Sequence, residues 1–168
     1  MKVLGIDPGT TVLGYGLVAD EAGTLTYVAH GTIAPSGVLS LRLMTLYEGL
    51  MSVINQYAPQ TVVMESPFLA KNVASALKLG QVQGVVLLAA AHAALPACTY
   101  SPMEIKSAVV GYGRATKNQV QEMVRRLLGI QHDLSLDASD ALAAAICHIH
   151  SAALHNRWQQ QAAVVKVN

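Results

Sequence analysis

The order of strand-like and helix-like segments restricts the fold of this sequence more than any other feature. Three runs rich in β-branched and aliphatic residues come first, at 2–7, 14–20 and 25–34. Residues 21–23, Glu-Ala-Gly, lie between the second and third runs and predict a hairpin loop. We therefore expect the chain to begin with a three-stranded antiparallel meander.

The rest of the chain predicts alternating helices and strands. Leucine and isoleucine recur at three- and four-residue steps over 39–57 and predict an amphipathic helix. The segments that follow predict two strands, at 61–65 and 97–100, and four helices, at 73–95, 102–109, 118–128 and 135–156. A meander followed by alternating elements indicates an α/β fold: a mixed five-stranded sheet flanked by helices.

The size and composition predict one globular domain. A chain of 168 residues fits a single core, and 52% hydrophobic against 12% charged residues excludes a disordered chain. We assign residues 1–157 to one domain and 158–168 to a flexible C-terminal tail. The first apolar run is too short for a signal peptide, so we expect a cytoplasmic protein.

The charge balance excludes a strongly basic nucleic-acid binder. Eleven Lys and Arg face ten Asp and Glu, for a net charge of +1. Any affinity for DNA must therefore come from local clusters of cations.

The segment 73–95 is apolar almost all round, with Lys78 as its only full charge. Its most apolar part, 82–95, is shorter than the roughly 20 residues that cross a bilayer, so we expect no membrane partner. We predict a helix covered on several sides and a candidate for contact between two copies of the chain.

Four carboxylates have positions that suggest a shared site. Asp7 and Glu65 end predicted strands, where open α/β sheets place their sites, and Asp137 and Asp140 share one face at the start of the last helix. If they converge, two divalent cations could balance their charge and hydrolyse a phosphodiester. The alternative remains that Asp137 caps the helix, Asp140 interacts with its dipole and Asp7 forms a turn.

Three blocks carry a resemblance to a known family. They are residues 5–10 (GIDPGT), residues 65–81, with Glu65 at the start and ALKLGQ at the end, and residues 137–143 (DASDALA). In this order and spacing they resemble the RuvC family of Holliday-junction resolvases, from residue 2 to about residue 150. The resemblance implies a ribonuclease H-like fold, a homodimer, and an endonuclease that places symmetrical nicks in four-way DNA junctions during recombination and repair.

The resemblance also implies roles for individual residues. The family's catalytic, metal-binding acids match Asp7, Glu65, Asp137 and Asp140. Each subunit would use two Mg²⁺ ions, which Mn²⁺ could replace. The residues that match DNA contacts are Phe68, Lys71, Asn72, Lys78, Lys106, Arg114 and Lys117, of which Lys106 and Lys117 are also candidates for assisting catalysis. Family analogy adds a junction branch-migration motor complex as a partner.

Some of these residues have a second interpretation. Phe68 could fill the core or wedge between DNA bases, and the resemblance favours the wedge. Lys78 could be a solvated surface residue. We expect His148, His150 and His155 to be surface residues without a metal, because residues two apart on a helix point in different directions.

Two rival functions follow from the same residues. Residues 5–11 also resemble the first phosphate loop of the actin, chaperone and sugar-kinase superfamily, although 168 residues cannot supply the two domains that clamp ATP there. The other rival is a junction-binding protein without catalysis, against which the presence of all four acids argues.

Overall fold

A computed structural model describes residues 1–66 and 73–165, and side chains are described only up to residue 154. Three predicted DNA contacts, Phe68, Lys71 and Asn72, lie outside the described residues. The strands are β1 Lys2–Asp7, β2 Leu13–Glu21, β3 Thr24–Ile33, β4 Thr61–Glu65 and β5 Ala97–Tyr100. The helices are α1 Leu39–Tyr57, α2 Val73–His92, α3 Pro102–Val110, α4 Lys117–Leu128 and α5 Leu136–Val165.

The five strands form one mixed sheet in the order β3-β2-β1-β4-β5. Strands β1, β2 and β3 pair antiparallel, and the short turn at Ala22 and Gly23 joins β2 to β3. Strand β4, which follows β3 through α1, pairs parallel to β1, and β5, which follows β4 through α2, pairs parallel to β4. This arrangement confirms the predicted fold class.

Each face of the sheet is covered by helices. Along β1, Val3 joins a core formed with α3, α4 and α5, whereas the next residue, Leu4, joins a core formed with α1 and α2. Val63 and Met64 of β4 divide between the two cores in the same way. Because successive strand side chains point to opposite faces, apolar runs such as β1 and β4 can fill both cores at once.

Helix α5 lies unusually close to the sheet. A Cβ atom added to Gly5 of β1 would stand 1.9 Å from the carbonyl oxygen of Ala141, and one added to Gly14 of β2 would stand 2.2 Å from that of Asp137. Only residues without a side chain permit this approach. The glycines therefore set the height of the helix above the strands.

Helix α2 is the element whose burial differs most from the prediction. Its buried residues lie on one face and are Val82, Val86, Ala89 and Ala90. Val73, Leu77 and Leu88 are 73%, 66% and 59% exposed, so the prediction that this helix is covered on several sides was wrong for the single chain. An apolar pattern shows that a helix needs cover, but not whether its own chain supplies it.

Helix α2 also has the length and composition of a membrane span. Among the described residues it is the one helix that meets these criteria, with a hydropathy of 1.5. Its Val82 and Val86 pack with Leu46 and Leu50 of α1 in the second core, as a helix of a globular domain does.

Two histidines of α5 are more enclosed than predicted. His148 is half-buried, with its Nδ1 3.0 Å from the hydroxyl of Tyr100, and the Nδ1 of His150 lies 3.1 Å from the carbonyl oxygen of Ala108. The surface prediction was wrong for these two because α5 is packed by β5 and α3. The side chain of His155 lies outside the described residues.

The ends of two helices also differ from prediction. Helix α2 ends at His92, and α5 extends to Val165, beyond the predicted end at residue 156. The division into a domain and a C-terminal tail remains a prediction, since side chains beyond residue 154 are not described.

Candidate active site

Asp7 and Glu65 end two neighbouring parallel strands. The register pairs Ile6 with Met64, so the two acids follow at the same level on strands about 4.8 Å apart. Ile6 and Met64 belong to the core beneath α1 and α2. By strand alternation, both carboxylates therefore belong to the opposite face, which α5 covers.

The first turns of α5 carry the other two acids, Asp137 and Asp140, to the ends of β1 and β4. Asp137 lies over β2 at Gly14, and Gly14 is the strand partner of Asp7. Asp140 follows three residues later, and the residues between them, Ala138 and Ser139, are buried. The close packing that Gly14 allows thus places the helix acids beside the strand acids.

Electrostatics show that the four acids share one environment. The pKa of Asp7 is raised to about 7, by burial first and then by the negative charges of Asp140, Glu65 and Asp137, with Lys117 acting in the opposite direction. The pKa of Glu65 is raised as well, mainly by burial and next by the negative charge of Asp140. Such shifts occur where carboxylates are gathered before a cation balances them.

A lysine from α4 occupies part of this environment. The Lys117 ammonium donates a hydrogen bond of 2.7 Å to Oδ2 of Asp140, which raises the pKa of Lys117. Thr116 and Gln119 form a capping box that fixes the start of α4 and so the position of Lys117. Glu65, Lys106, Lys117 and Asp140 line a cavity of about 130 Å³.

Two other basic candidates in the described part of the chain do not line this cavity. Arg114 is exposed in the loop between α3 and α4, which begins at Gly111 with a left-handed φ of 92°. Lys78 is exposed on α2 and lines a different cavity. Among the predicted cations that the structure describes, Lys106 and Lys117 are thus the two that line the cavity beside Glu65 and Asp140.

The chemistry of this donor set fits hard divalent cations, because its oxygens are carboxylate oxygens in a region of excess negative charge. Within the described residues, no three His, Cys, Asp or Glu side chains are grouped closely enough to hold one ion by themselves. Magnesium does not require such a cage, since it usually keeps several waters and takes one or two carboxylates. Lys117 also holds Asp140 by an ion pair.

The sequence interpretation missed the glycines that position the acids. Gly5 and Gly14 interrupt strand patterns, and a glycine inside a strand often marks the close approach of another backbone. That signal was present in the sequence. The Lys117–Asp140 hydrogen bond had no signal, because it joins residues 23 positions apart.

The sheet order, with acids at the ends of β1 and β4 and on the helix above them, defines a ribonuclease H-like nuclease. The solved yeast mitochondrial Holliday junction resolvase shares this fold, with a TM-score of 0.60 and 14% identity over 88% of this chain and 77% of that chain. A family model described as crossover junction endodeoxyribonuclease RuvC matches residues 3–148. The chain belongs to the RuvC family.

Relatives of this family are similar over nearly the whole chain. RuvC of Syntrophotalea carbinolica is 52% identical over 152 residues, which cover 89% of this chain and 94% of the relative. RuvC of Geobacter sulfurreducens is 47% identical over 156 residues, covering 92% and 95%. The structure of Thermus thermophilus RuvC in complex with a Holliday junction substrate has a TM-score of 0.87 and 33% identity, covering 92% and 96%.

Proposed function

We propose that this chain is a structure-selective endonuclease that resolves four-way DNA junctions by paired symmetrical nicks, in recombination and repair. The observation that carries the proposal is the meeting of Asp7 and Glu65, from neighbouring strands, with the acids of α5. Membership of the RuvC family supports the same activity. The fold supports the site because the carboxylates come from a packed sheet and helix.

Asp7, Glu65, Asp137 and Asp140 are the residues we propose as metal ligands, with two Mg²⁺ ions per subunit and Mn²⁺ as a possible substitute. Two divalent ions, when bound, activate the attacking water and neutralise the departing 3′ oxygen. The two strand acids start from backbone positions that are held in the sheet.

Lys106 and Lys117 are the residues we propose to assist the reaction. Both line the cavity beside Glu65 and Asp140, so their ammonium groups can face a phosphate held there. A cation positioned on the phosphate stabilises the negative charge that develops in the transition state. The proposed DNA contacts are these two lysines with Phe68, Lys71, Asn72, Lys78 and Arg114.

A synthetic four-way junction tests the proposed activity. The wild-type chain should produce paired nicks in the presence of Mg²⁺ and only bound junction in the presence of a chelator. Asp7→Asn should bind the junction with little change and cut it at least about a thousandfold more slowly. Asp133→Asn, which changes an exposed acid, is the matched control and should cut normally. Rapid cleavage by Asp7→Asn in Mg²⁺, or no binding by the wild type, would contradict the proposal.

We also propose that two copies associate through α2. Leu77 and Leu88 expose an apolar surface, and a two-fold dimer presents one site to each of two opposed junction strands. Family analogy adds a branch-migration motor complex as partner and a cytoplasmic location, with no membrane.

Sedimentation tests the dimer. The wild type should be dimeric at micromolar concentration, and Leu77→Lys or Leu88→Lys should shift it towards the monomer. Leu127→Lys is the control, since it places a charge on an exposed leucine of α4. A wild type that sediments as a monomer would contradict the dimer. If the monomeric protein were recovered in the membrane fraction, lipid would cover α2 instead of a second copy.

A further inference from the structure

A second cavity opens where the loop after β1 meets α1 and α2. It has a volume of about 240 Å³, and its polar lining comes from Thr10 of the loop, Arg42 of α1 and Lys78 of α2. The apolar part of its wall includes Leu43, Leu46 and Val82. Three separate segments of the chain therefore contribute hydrogen-bond donors to one small space.

The charged residues described in the lining of this cavity are both positive. Arg42 and Lys78 both line it, and no carboxylate is among the lining residues that the structure describes. Within the described part of the chain, neither side chain forms an ion pair, since the salt bridges there are Lys117–Asp140 and Arg126–Glu122. Two cations that repel each other across a cavity with an apolar wall favour an anion between them.

The loop connects this cavity to the carboxylates. Thr10 follows Asp7 by three residues, so their Cα atoms are at most about 11 Å apart. Phosphates of one DNA strand are spaced by about 3.4 Å along the helix axis. A phosphate in the cavity would therefore lie within a few nucleotides of the phosphate being cut.

We propose that Arg42, Lys78 and Thr10 form a binding site for a backbone phosphate of the DNA strand that is being cut. The inference rests on the proposed nuclease function and adds a site to it. The guanidinium of Arg42 can donate two parallel hydrogen bonds to the phosphate, and Thr10 adds a hydroxyl donor. Lys78 contributes a flexible point charge from the opposite helix. Holding this phosphate sets the position of the strand over the carboxylates.

The first test measures junction affinity without cleavage, in a chelator, over a range of salt concentrations. Arg42→Gln should weaken binding about tenfold at low salt. The slope of log affinity against log salt should become shallower by about one. Arg42→Lys keeps the charge but loses the paired donors, so its affinity for the junction should fall between those of the wild type and Arg42→Gln. Arg126→Gln is the matched control, because Arg126 already pairs with Glu122 on α4.

A second test locates the phosphate. Junctions with a single uncharged methylphosphonate, placed at each of the three linkages on either side of the cut, should lose affinity for the wild type at one or two positions. At those positions the modification should not lower the affinity of Arg42→Gln any further, because this variant already lacks the contact between Arg42 and the phosphate. Equal losses for the variant and the wild type at every position would overturn the proposal.

Lys78→Gln and the activity of the wild type distinguish a wrong phosphate site from an unstable variant and from a wrong nuclease function. Lys78 is exposed, so Lys78→Gln should stay folded and should show a smaller loss at the same linkages, even if Arg42→Gln were unstable. Unchanged affinity and salt slope in both variants, with a wild type that still cuts junctions, would overturn this site and leave the nuclease function intact. A wild type that neither binds nor cuts would overturn the nuclease function itself.

Discussion

The ammonium nitrogen of Lys117 lies 2.7 Å from Oδ2 of Asp140, which joins the first residue of α4 to an acid of α5. The pair lies beside Glu65 and at the edge of the environment that raises the pKa of Asp7. In the absence of other cations, Lys117 offsets part of the negative charge of the site. We therefore expect Lys117 to have two separable effects, one on stability and one on the reaction.

Lys117→Gln should separate these effects. The Lys117 side chain is 65% exposed, so losing its ion pair should lower the free energy of unfolding by less than about 1 kcal/mol. Cleavage should fall about a hundredfold because a cation facing the phosphate is lost. Single-turnover rates and urea midpoints measure the two quantities. Arg126→Gln breaks another exposed ion pair and should leave cleavage unchanged; equal rates for Lys117→Gln and wild type would remove Lys117 from the proposed machinery.

Asp7→Asn should stabilise the metal-free protein. At pH 8 the Asp7 carboxylate is ionised, although its burial and its acidic neighbours disfavour the charge. Removing that charge should raise the free energy of unfolding by about 1–2 kcal/mol after allowance for solvent screening. Thermal melts in a chelator measure the change, with Asp133→Asn as the exposed control. A lower melting temperature for Asp7→Asn would show that its carboxylate is not disfavoured in the folded state.

The contribution of Asp7 to the stability of the metal-free protein should fall as the pH rises from about 4 to about 8. The pKa of Asp7 is raised from 3.8 to about 7 on folding, so the folded state binds more protons than the unfolded state between these values. Its contribution is fully present below pH 3.8 and is lost as the pH passes through 7. Urea midpoints across this range, compared between wild type and Asp7→Asn, isolate the contribution. Parallel curves for the two proteins would contradict it.

Gly14→Ala should damage both stability and cleavage. The added Cβ would stand 2.2 Å from the carbonyl oxygen of Asp137, so α5 must move away from β2. We expect a loss of about 3 kcal/mol in the free energy of unfolding and much slower cleavage. Gly80→Ala is the control, since nothing lies within 4 Å of its added Cβ and alanine favours a helix. A wild-type melting temperature for Gly14→Ala would show that the helix is not held at this height.

The sequence predicted the elements and the class of sheet, because each rests on local signals. Runs of β-branched and aliphatic residues with turn residues between them located β1, β2 and β3, and the apolar periodicity located α1 at its observed bounds. The family resemblance then selected the acids that could meet. That Asp7 and Glu65 share one level follows from the parallel register, which only the folded chain provides.

Other features could not be predicted because they depend on what covers each surface. The composition of α2 predicted burial, yet Leu77 and Leu88 are exposed in the single chain. The cavity beside Thr10 had no sequence signal, since Arg42 and Lys78 come from helices that meet only after folding. The enclosure of His148 could not be predicted, because its hydrogen-bond partner, Tyr100, is 48 residues away in the sequence.

The contact of Ala141 with Gly5 has a consequence for how this enzyme can change over evolution or in the laboratory. Since the helix backbone fills the space that a side chain at position 5 would need, the helix and the sheet cannot slide past each other by small steps. A substitution in the core that moves α5 relative to the sheet would therefore also move the acids of α5 relative to Asp7 and Glu65. Attempts to alter metal preference or cutting pattern should begin with the carboxylates and leave the glycines beneath the helix untouched.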